Sequence, residues 1–276
     1  MFEKAVRKKS KLRLGLCAPS GAGKTYSALL LAKGLGGKIA LIDTENGSAS
    51  LYSHLVDFDV CNLEAPYTVD KYLKAIEYAE NNGYNTIIID SLSHCWAGEG
   101  GLLEQQGIAS KRTGNSYTAW RDITPLHNRL IDAIVNSKCH IIATMRSKVD
   151  YVLEINDKGK QTPKKVGLAP VQREGMDYEF TTVFDIDIDT HTAKSSKDRT
   201  GLFDDKIIKI NEETGTLLNE WLNQGVDIPM ITPEQEQKLE ELGVDKIALC
   251  TFFKVNSVKD LTFKQAQMAI SKKEQK

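Results

Sequence analysis

Residues 18–25 read Ala-Pro-Ser-Gly-Ala-Gly-Lys-Thr, and no other segment of the chain narrows the choice of fold as much. The run before it, LRLGLCA at 12–18, is short and apolar and reads as a buried strand; residues 25–35 after it read as a helix. A strand that turns through small residues into a helix presents unpaired backbone N–H groups at the helix start. Small side chains let that backbone close around a polyanion. In this frame Lys24 reaches the β- and γ-phosphates, and the Thr25 hydroxyl is placed for Mg²⁺. The segment predicts bound ATP with Mg²⁺, contacted by Ser20, Gly21, Ala22, Gly23, Lys24, Thr25 and Tyr26. The usual pattern opens on glycine, where this chain has Ala18.

The rest of the first half alternates apolar runs with amphipathic ones. KIALID (38–43), TIIID (86–90) and HIIAT (140–144) read as strands, while 69–81 and 117–135 read as helices, the second kinked or split by Pro125. Strands apolar on both faces and separated by helices predict an α/β fold with a mostly parallel sheet covered on both sides. Segments at 180–188, 192–196 and 206–210 read as strands extending that sheet antiparallel, closed by a helix at 216–223. Residues 147–175 read as a long polar loop. After a linker at 224–231, Thr232-Pro233-Glu234-Gln235 and Thr262-Phe263-Lys264-Gln265 each carry a helix-start signature. The expected division is a core over 1–225 and a linker with a small helical module over 226–276.

In such a sheet ligands sit at the carboxyl ends of the strands, and the polar residues fall there: Asp43, Glu45, Asp90 and Arg146. Asp90 closes the TIIID strand, where a carboxylate holds Mg²⁺ directly or through water. From 146 to 173 the chain has Arg146, Lys148, Lys158, Lys160, Lys164, Lys165 and Arg173 against Asp150, Glu154 and Asp157. That local excess, with Tyr151, suits a groove that tracks phosphates and stacks bases, although a solvated lysine-rich loop has the same composition.

Taken in order, the phosphate loop, Ile42-Asp43-Thr44-Glu45 and the strand ending at Asp90 resemble the RecA recombinase superfamily. The wider set KLRLGLCAPSGAGKTYSAL, ALIDTENG, TIIIDS, MRSKVDY, GLAPVQREGMDYEF and KDRTG, over about 2–222, resembles the phage RecA-like ATPases of the Sak-four single-strand annealing type. That resemblance implies ATP hydrolysis with Glu45 polarising the attacking water, single-stranded DNA as partner, and annealing during recombination. It places DNA-holding loops at about 93–115, with Trp96, Lys111 and Arg112, and at 147–175. Lys197-Asp198-Arg199-Thr200-Gly201 is similar to an element whose Lys and Arg reach a neighbouring subunit's γ-phosphate. Lys197 and Arg199 are therefore expected to act in trans within a ring or filament, with Lys194 a weaker candidate. As residues alone, the same five also read as a charged hairpin turn. Phe2-Glu3-Lys4-Ala5 matches an FxxA subunit hook. RecA carries a γ-phosphate-sensing Gln where this chain has Thr144. The helical tail resembles modules of other phage recombination proteins and suggests docking to a single-strand-binding protein.

A formal net charge of −1 excludes nothing but a globally basic binder. Five scattered cysteines, with no CxxC, argue against a disulfide framework or a zinc site and for a reducing compartment; His94-Cys95 is the one conceivable metal pair. No apolar run approaches the roughly 20 residues that span a bilayer, so a cytoplasmic location, in a bacterial host if the chain is phage-encoded, is expected. Two other readings stand beside annealing: a hexameric DnaB- or RadA-like DNA motor, and a nucleotide-switched adaptor that hydrolyses ATP slowly.

Overall fold

The computed structural model describes residues 4–155 and 161–274, with side chains outside 149–168. The chain divides into two compact units, one formed by 11–222 and the other by the N-terminal ten residues with 223–276.

The larger unit runs β1 (Arg13–Ala18), α1 (Lys24–Leu35), β2 (Ile39–Asp43), β3 (Asp59–Asn62), α2 (Val69–Asn81), β4 (Thr86–Asp90), α3 (Leu92–Ala97), α4 (Leu102–Thr113) and α5 (Ser116–Asn136). It continues through β5 (His140–Ile155), β6 (Gln161–Pro170), β7 (Thr182–Ile186), β8 (Ala193–Asp198), β9 (Ile207–Ile208) and α6 (Glu212–Asn223). The sheet order is β3-β2-β4-β5-β1-β7-β8-β9, with β6 paired to the outer half of β5. Strands β3, β2, β4, β5, β1 and β7 are parallel to their neighbours. Only β8, β9 and the β5–β6 pair run antiparallel. This is the expected α/β class, with one correction: β7 joins the parallel set, and the antiparallel extension begins at β8.

Every residue of β1 and β4 is buried. One face of the sheet packs Leu14, Leu16, Leu29, Leu41 and Ile88 under α1 and α6, and the other packs Ile42, Tyr72, Ile87, Ile89 and Ile134 under α2 and α5. Helices α1 and α6 meet backbone to backbone. A Cβ at Gly34 would lie 2.0 Å from the Glu212 carbonyl, and one at Gly215 would lie 2.2 Å from that of Leu31. Only glycine permits this approach.

Pro125 sits inside α5, which nevertheless runs unbroken for 21 residues. Proline deletes one N–H there, whereas the helix keeps a buried stripe of Ala119, Ile123, His127, Leu130 and Ile134. The stretch 93–115, expected as a loop, is instead α3 and α4; its glycines obscured the helical pattern. The stretch 147–175 is largely a hairpin rather than a loop. β5 continues past Ser147 and pairs with β6 from Ser147↔Pro170 to Ile155↔Gln161, with a register shift between Asp150 and Tyr151. Val149, Tyr151, Leu153 and Ile155 recur every second residue, the strand period, within a polar composition.

The start of β1 is tied across the sheet. Arg13 is 7 % exposed and donates to the carbonyls of Val135, Ser137 and Cys139. His140 is 4 % exposed, and its Nδ1 accepts from the Leu12 N–H at 3.0 Å. Burial, with Lys11 and Arg13 nearby, pushes this imidazole down to about 3. A neutral folded histidine favours folding fully above its unfolded value near 6.5 and loses that contribution as pH falls below it. His140→Asn keeps an acceptor for Leu12 and removes the titration. Urea unfolding at pH 7 and pH 5 should show the variant losing about 2 kcal/mol less than the parent over that interval. Equal losses would clear His140 of any part in acid lability.

In the smaller unit, Lys8 pairs with Val226 and Lys9 bridges Asp227 at 2.8 Å. Helices α7 (Pro233–Glu241), α8 (Lys246–Phe253) and α9 (Phe263–Glu274) enclose Leu239, Leu249, Val258, Leu261, Ala266 and Ile270. The capping box at Thr232 and Gln235 forms as its residues imply. Residues 4–10 thus cluster with this module, although the sequence alone had suggested a core beginning at residue 1. Of the FxxA motif, Phe2 and Glu3 lie outside the described residues.

Candidate nucleotide and magnesium site

The turn between β1 and α1 depends on two left-handed residues, Gly21 at φ +86° and Gly23 at φ +90°. No side chain caps α1, and its first turn holds no acid, so its N–H groups and dipole face the turn undiluted. Lys24 is 9 % exposed, and its Nζ donates to the carbonyls of Ala18 at 3.1 Å and Pro19 at 2.8 Å. Burial lowers its pKa, while the carboxylates of Asp90 and Glu45 pull the other way. Ser20 and Tyr26 are exposed, and Tyr26 meets Tyr52 edge-on at 5.9 Å. The Ala22 carbonyl accepts from His191 Nδ1 at 3.2 Å, a contact from the β7–β8 turn that no local motif announces.

Asp90 is 2 % exposed and accepts two hydroxyls: Thr25 Oγ1 on Oδ2 at 2.6 Å and Thr144 Oγ1 on Oδ1 at 2.5 Å. Burial raises its pKa, and the two hydroxyls offset part of that rise. Thr144 is therefore committed to the carboxylate. Thr25 and Asp90 put hard oxygens side by side, the donors Mg²⁺ prefers when phosphates and water complete its shell. The residues present fit that ion.

Glu45 follows β2. Asp43 accepts the Glu45 N–H at 2.6 Å and the Ala49 N–H at 3.0 Å, so it shapes the turn. Arg146 forks onto Glu45, with Nε to Oε1 at 3.1 Å and Nη2 to Oε2 at 2.5 Å. Burial acts to raise the Glu45 pKa, but the Arg146 hydrogen bond and charge outweigh it and hold the carboxylate below its ordinary range. Behind this pair Thr44 Oγ1 meets His94 Nδ1 at 2.7 Å, and His94 stacks on Tyr67 at 4.9 Å. The sequence offered His94 only as a metal candidate. Among the described residues no group of three or more His, Cys, Asp or Glu is placed to hold a metal. Burial pushes the neighbouring Cys95 thiol up to about 12.

Lys197 and Arg199 stand elsewhere. Because β8 runs antiparallel to β7, they lie at the sheet end opposite the phosphate loop. Lys197 Nζ donates to the carbonyls of Asp177 and Tyr178, and Arg199 Nη2 to that of Tyr178 at 3.0 Å. Lys194 is the one at the loop end, opposite Asp185. Of the basic stretch, Arg146 and Lys148 are exposed. Lys158 and Lys160 lie outside the described residues. Lys164 and Lys165 pair in register with Val152 and Tyr151. Arg173 lies over Trp120 at 5.5 Å.

The family model described as an AAA domain matches residues 10–238, well over half of the chain. No curated protein matches. Among solved structures the chain is similar to a crystal structure of the RadB recombinase, at 16% identity over 68% of this chain and 81% of that one, with a TM-score of 0.37. It is also similar to an ATPase from the type III secretion system of pathogenic bacteria, at 13% identity over 95% and 79%, with a TM-score of 0.34. With that family match and a phosphate loop whose Thr25 meets Asp90 at the end of a parallel α/β sheet, the chain belongs to the AAA domain family.

Proposed function

We propose that the protein is an ATPase that binds single-stranded DNA and promotes annealing in homologous recombination, phage-encoded and working as an oligomer. The observation that carries the reading is Arg146. It grips Glu45 at the nucleotide site, and two residues later its strand enters the hairpin that bears Lys148, Lys164 and Lys165. A DNA phosphate competing for Arg146 would release the carboxylate.

The geometry supports the following roles within this reading. Lys24 and the first-turn N–H groups of α1 hold the phosphates. Thr25 and Asp90 would hold Mg²⁺, which would supply neutralisation of charge on the phosphate oxygens. Glu45, once free, accepts a proton from the attacking water. Lys197 and Arg199, remote from their own phosphate loop, suit only a neighbour's, in a ring or a filament. The helical module of the smaller unit is the proposed dock for a single-strand-binding protein; a pull-down unchanged by removing 226–276 would end that part.

The test is ATP turnover with and without single-stranded DNA, at low and moderate salt. DNA is expected to raise turnover, salt to suppress the increase, and Arg199→Ala to abolish it. A second reading, a slow nucleotide-switched adaptor, draws on the same Arg146–Glu45 pair as a standing brake. Turnover indifferent to DNA would put it first. Among the described residues, no helix is long and apolar enough to cross a membrane.

A further inference from the structure

Tyr117, Trp120, Arg121 and Thr124 follow one another at helical spacings, so they share one face of α5. Trp120 is partly buried against the core, whereas Tyr117 and Arg121 are exposed. Trp96 from α3 stacks on Trp120 with ring centres 5.7 Å apart and planes inclined by 19°. His127, beneath, meets Trp96 edge-on at 6.0 Å. Arg173 lies over Trp120 at 5.5 Å and reaches Thr124 Oγ1 at 3.4 Å. Tyr178 stands on the facing wall with the Lys197 ammonium 5.9 Å from its ring. Trp96, Tyr117, Trp120, Arg121, Arg173 and Tyr178 line an open groove of about 1100 Å³, larger than the roughly 300–1000 Å³ of an ordinary small-ligand cleft.

Two features set the groove apart from a packing defect. Tyr117 is 88 % and Tyr178 69 % exposed, so two large rings present bare faces at its rim. Water-facing aromatics clustered beside cations mark a recognition surface. The charged lining is Arg121 and Arg173 against Glu174, a net positive surface. The groove also continues from the hairpin. Val171 N–H donates to the Arg146 carbonyl at 2.6 Å, and Gln172 Nε2 reaches the Leu92 carbonyl at 3.3 Å. Arg173 is thus fixed where the hairpin stem returns to α3.

We infer that this groove, built by Trp96, Tyr117, Trp120, Arg121, Arg173 and Tyr178, is a base-stacking site for single-stranded DNA, separate from the lysines of the hairpin. The inference rests on the proposed DNA binding and adds where the bases go. Trp96, Trp120 and Arg173 form a stacked floor. The two tyrosines give each base a π-face, and Arg121 meets the backbone. Stacking of this kind tolerates any sequence, as an annealing protein requires.

The chain has three tryptophans. Trp221, on α6, packs against the opposite core cluster, so in a Trp221→Phe background the fluorescence reports the groove alone. With the full-length chain, oligo-dT is expected to quench that signal saturably. Tyr117→Ala combined with Tyr178→Ala should weaken oligo-dT binding by on the order of 10-fold or more, while an abasic oligomer of equal length binds parent and variant alike. Both side chains are exposed, and the Tyr178 carbonyl that receives Lys197 and Arg199 is backbone, so folding is spared. Unaltered oligo-dT affinity in the double variant, with tryptophan emission unmoved and turnover still stimulated by DNA, would place the bases elsewhere and overturn the groove while leaving the proposed DNA-binding ATPase standing. A parent that binds neither oligomer would remove both.

Discussion

Lys24→Ala is expected to lower ATP turnover on the order of 10²–10³-fold, the loss typical of removing one preorganised charge donor from a reaction centre. The ammonium is 9 % exposed and is held by the carbonyls of Ala18 and Pro19 rather than by an ion pair. Neutral acceptors constrain its position without cancelling its charge, and the low-water setting strengthens its pull on a phosphate oxygen. Alanine removes that charge and leaves two carbonyls of the loop without their donor, so nucleotide affinity should fall as well. Phosphate release and binding of a fluorescent nucleotide, on a variant whose circular dichroism matches the parent, measure both. Turnover within about threefold of the parent would mean that phosphate charge is neutralised by some other group.

Glu45→Gln is expected to slow turnover by about 10²–10⁴-fold while nucleotide affinity holds. An amide oxygen takes a proton far less readily than a carboxylate, and the amide N–H₂ would oppose the Arg146 fork where Oε1 and Oε2 now accept it. The pH dependence separates catalysis from structure. Glu45 is held below its ordinary range because Arg146 outweighs burial, so the parent keeps its base ionised well into acid. Removing the guanidinium, as in Arg146→Ala, takes away the main opponent of burial, leaving only the smaller influences of His94 and Ser91, and raises the Glu45 pKa. As pH falls through that higher value the base protonates earlier, so the acid limb of the rate profile should move to higher pH. An unmoved limb, or a Glu45→Gln variant turning over like the parent, would take Glu45 out of the chemistry.

The two substitutions probe parts of the site that were legible to different degrees. Lys24 stands in a contiguous motif whose spacing carries its own geometry, because eight adjacent residues can close only one kind of loop. Glu45 is marked by resemblance, and its pairing with Arg146 is not marked, although both fall at the carboxyl ends of strands. Arg146 reads as part of a basic, phosphate-tracking stretch, and its place against a residue 101 positions away arises because β2 and β5 both flank β4 and run parallel to it. Thr144 shows the same limit. Its identity looked like the loss of a sensor; its hydroxyl, fully buried, instead anchors Asp90.

The aromatic groove was the least legible feature. Trp96, Trp120 and Tyr178 are contributed by three separate segments, and each alone is an unremarkable aromatic near a helix or turn. The glycines of 93–115 suggested loop because a glycine-rich composition says nothing about the tertiary burial of Leu102 and Ala109 that holds α4 in place. Likewise the hairpin at 147–170 was concealed by lysines, since a strand needs only a partner and a period of two, not an apolar composition.

By itself, then, the sequence determined the parallel α/β sheet, its phosphate loop and the carboxylate at the end of β4, because each rests on contiguous residues whose local periodicity and backbone freedom admit one arrangement. Only the tertiary structure decided that Arg146 holds Glu45, that Lys197 and Arg199 lie far from their own nucleotide site, and that aromatics from α3, α5 and the segment before β7 share one groove. Those relations depend on strand order and direction, which bring distant residues to one edge of the sheet or send neighbouring ones to the other, and no short stretch of chain encodes them.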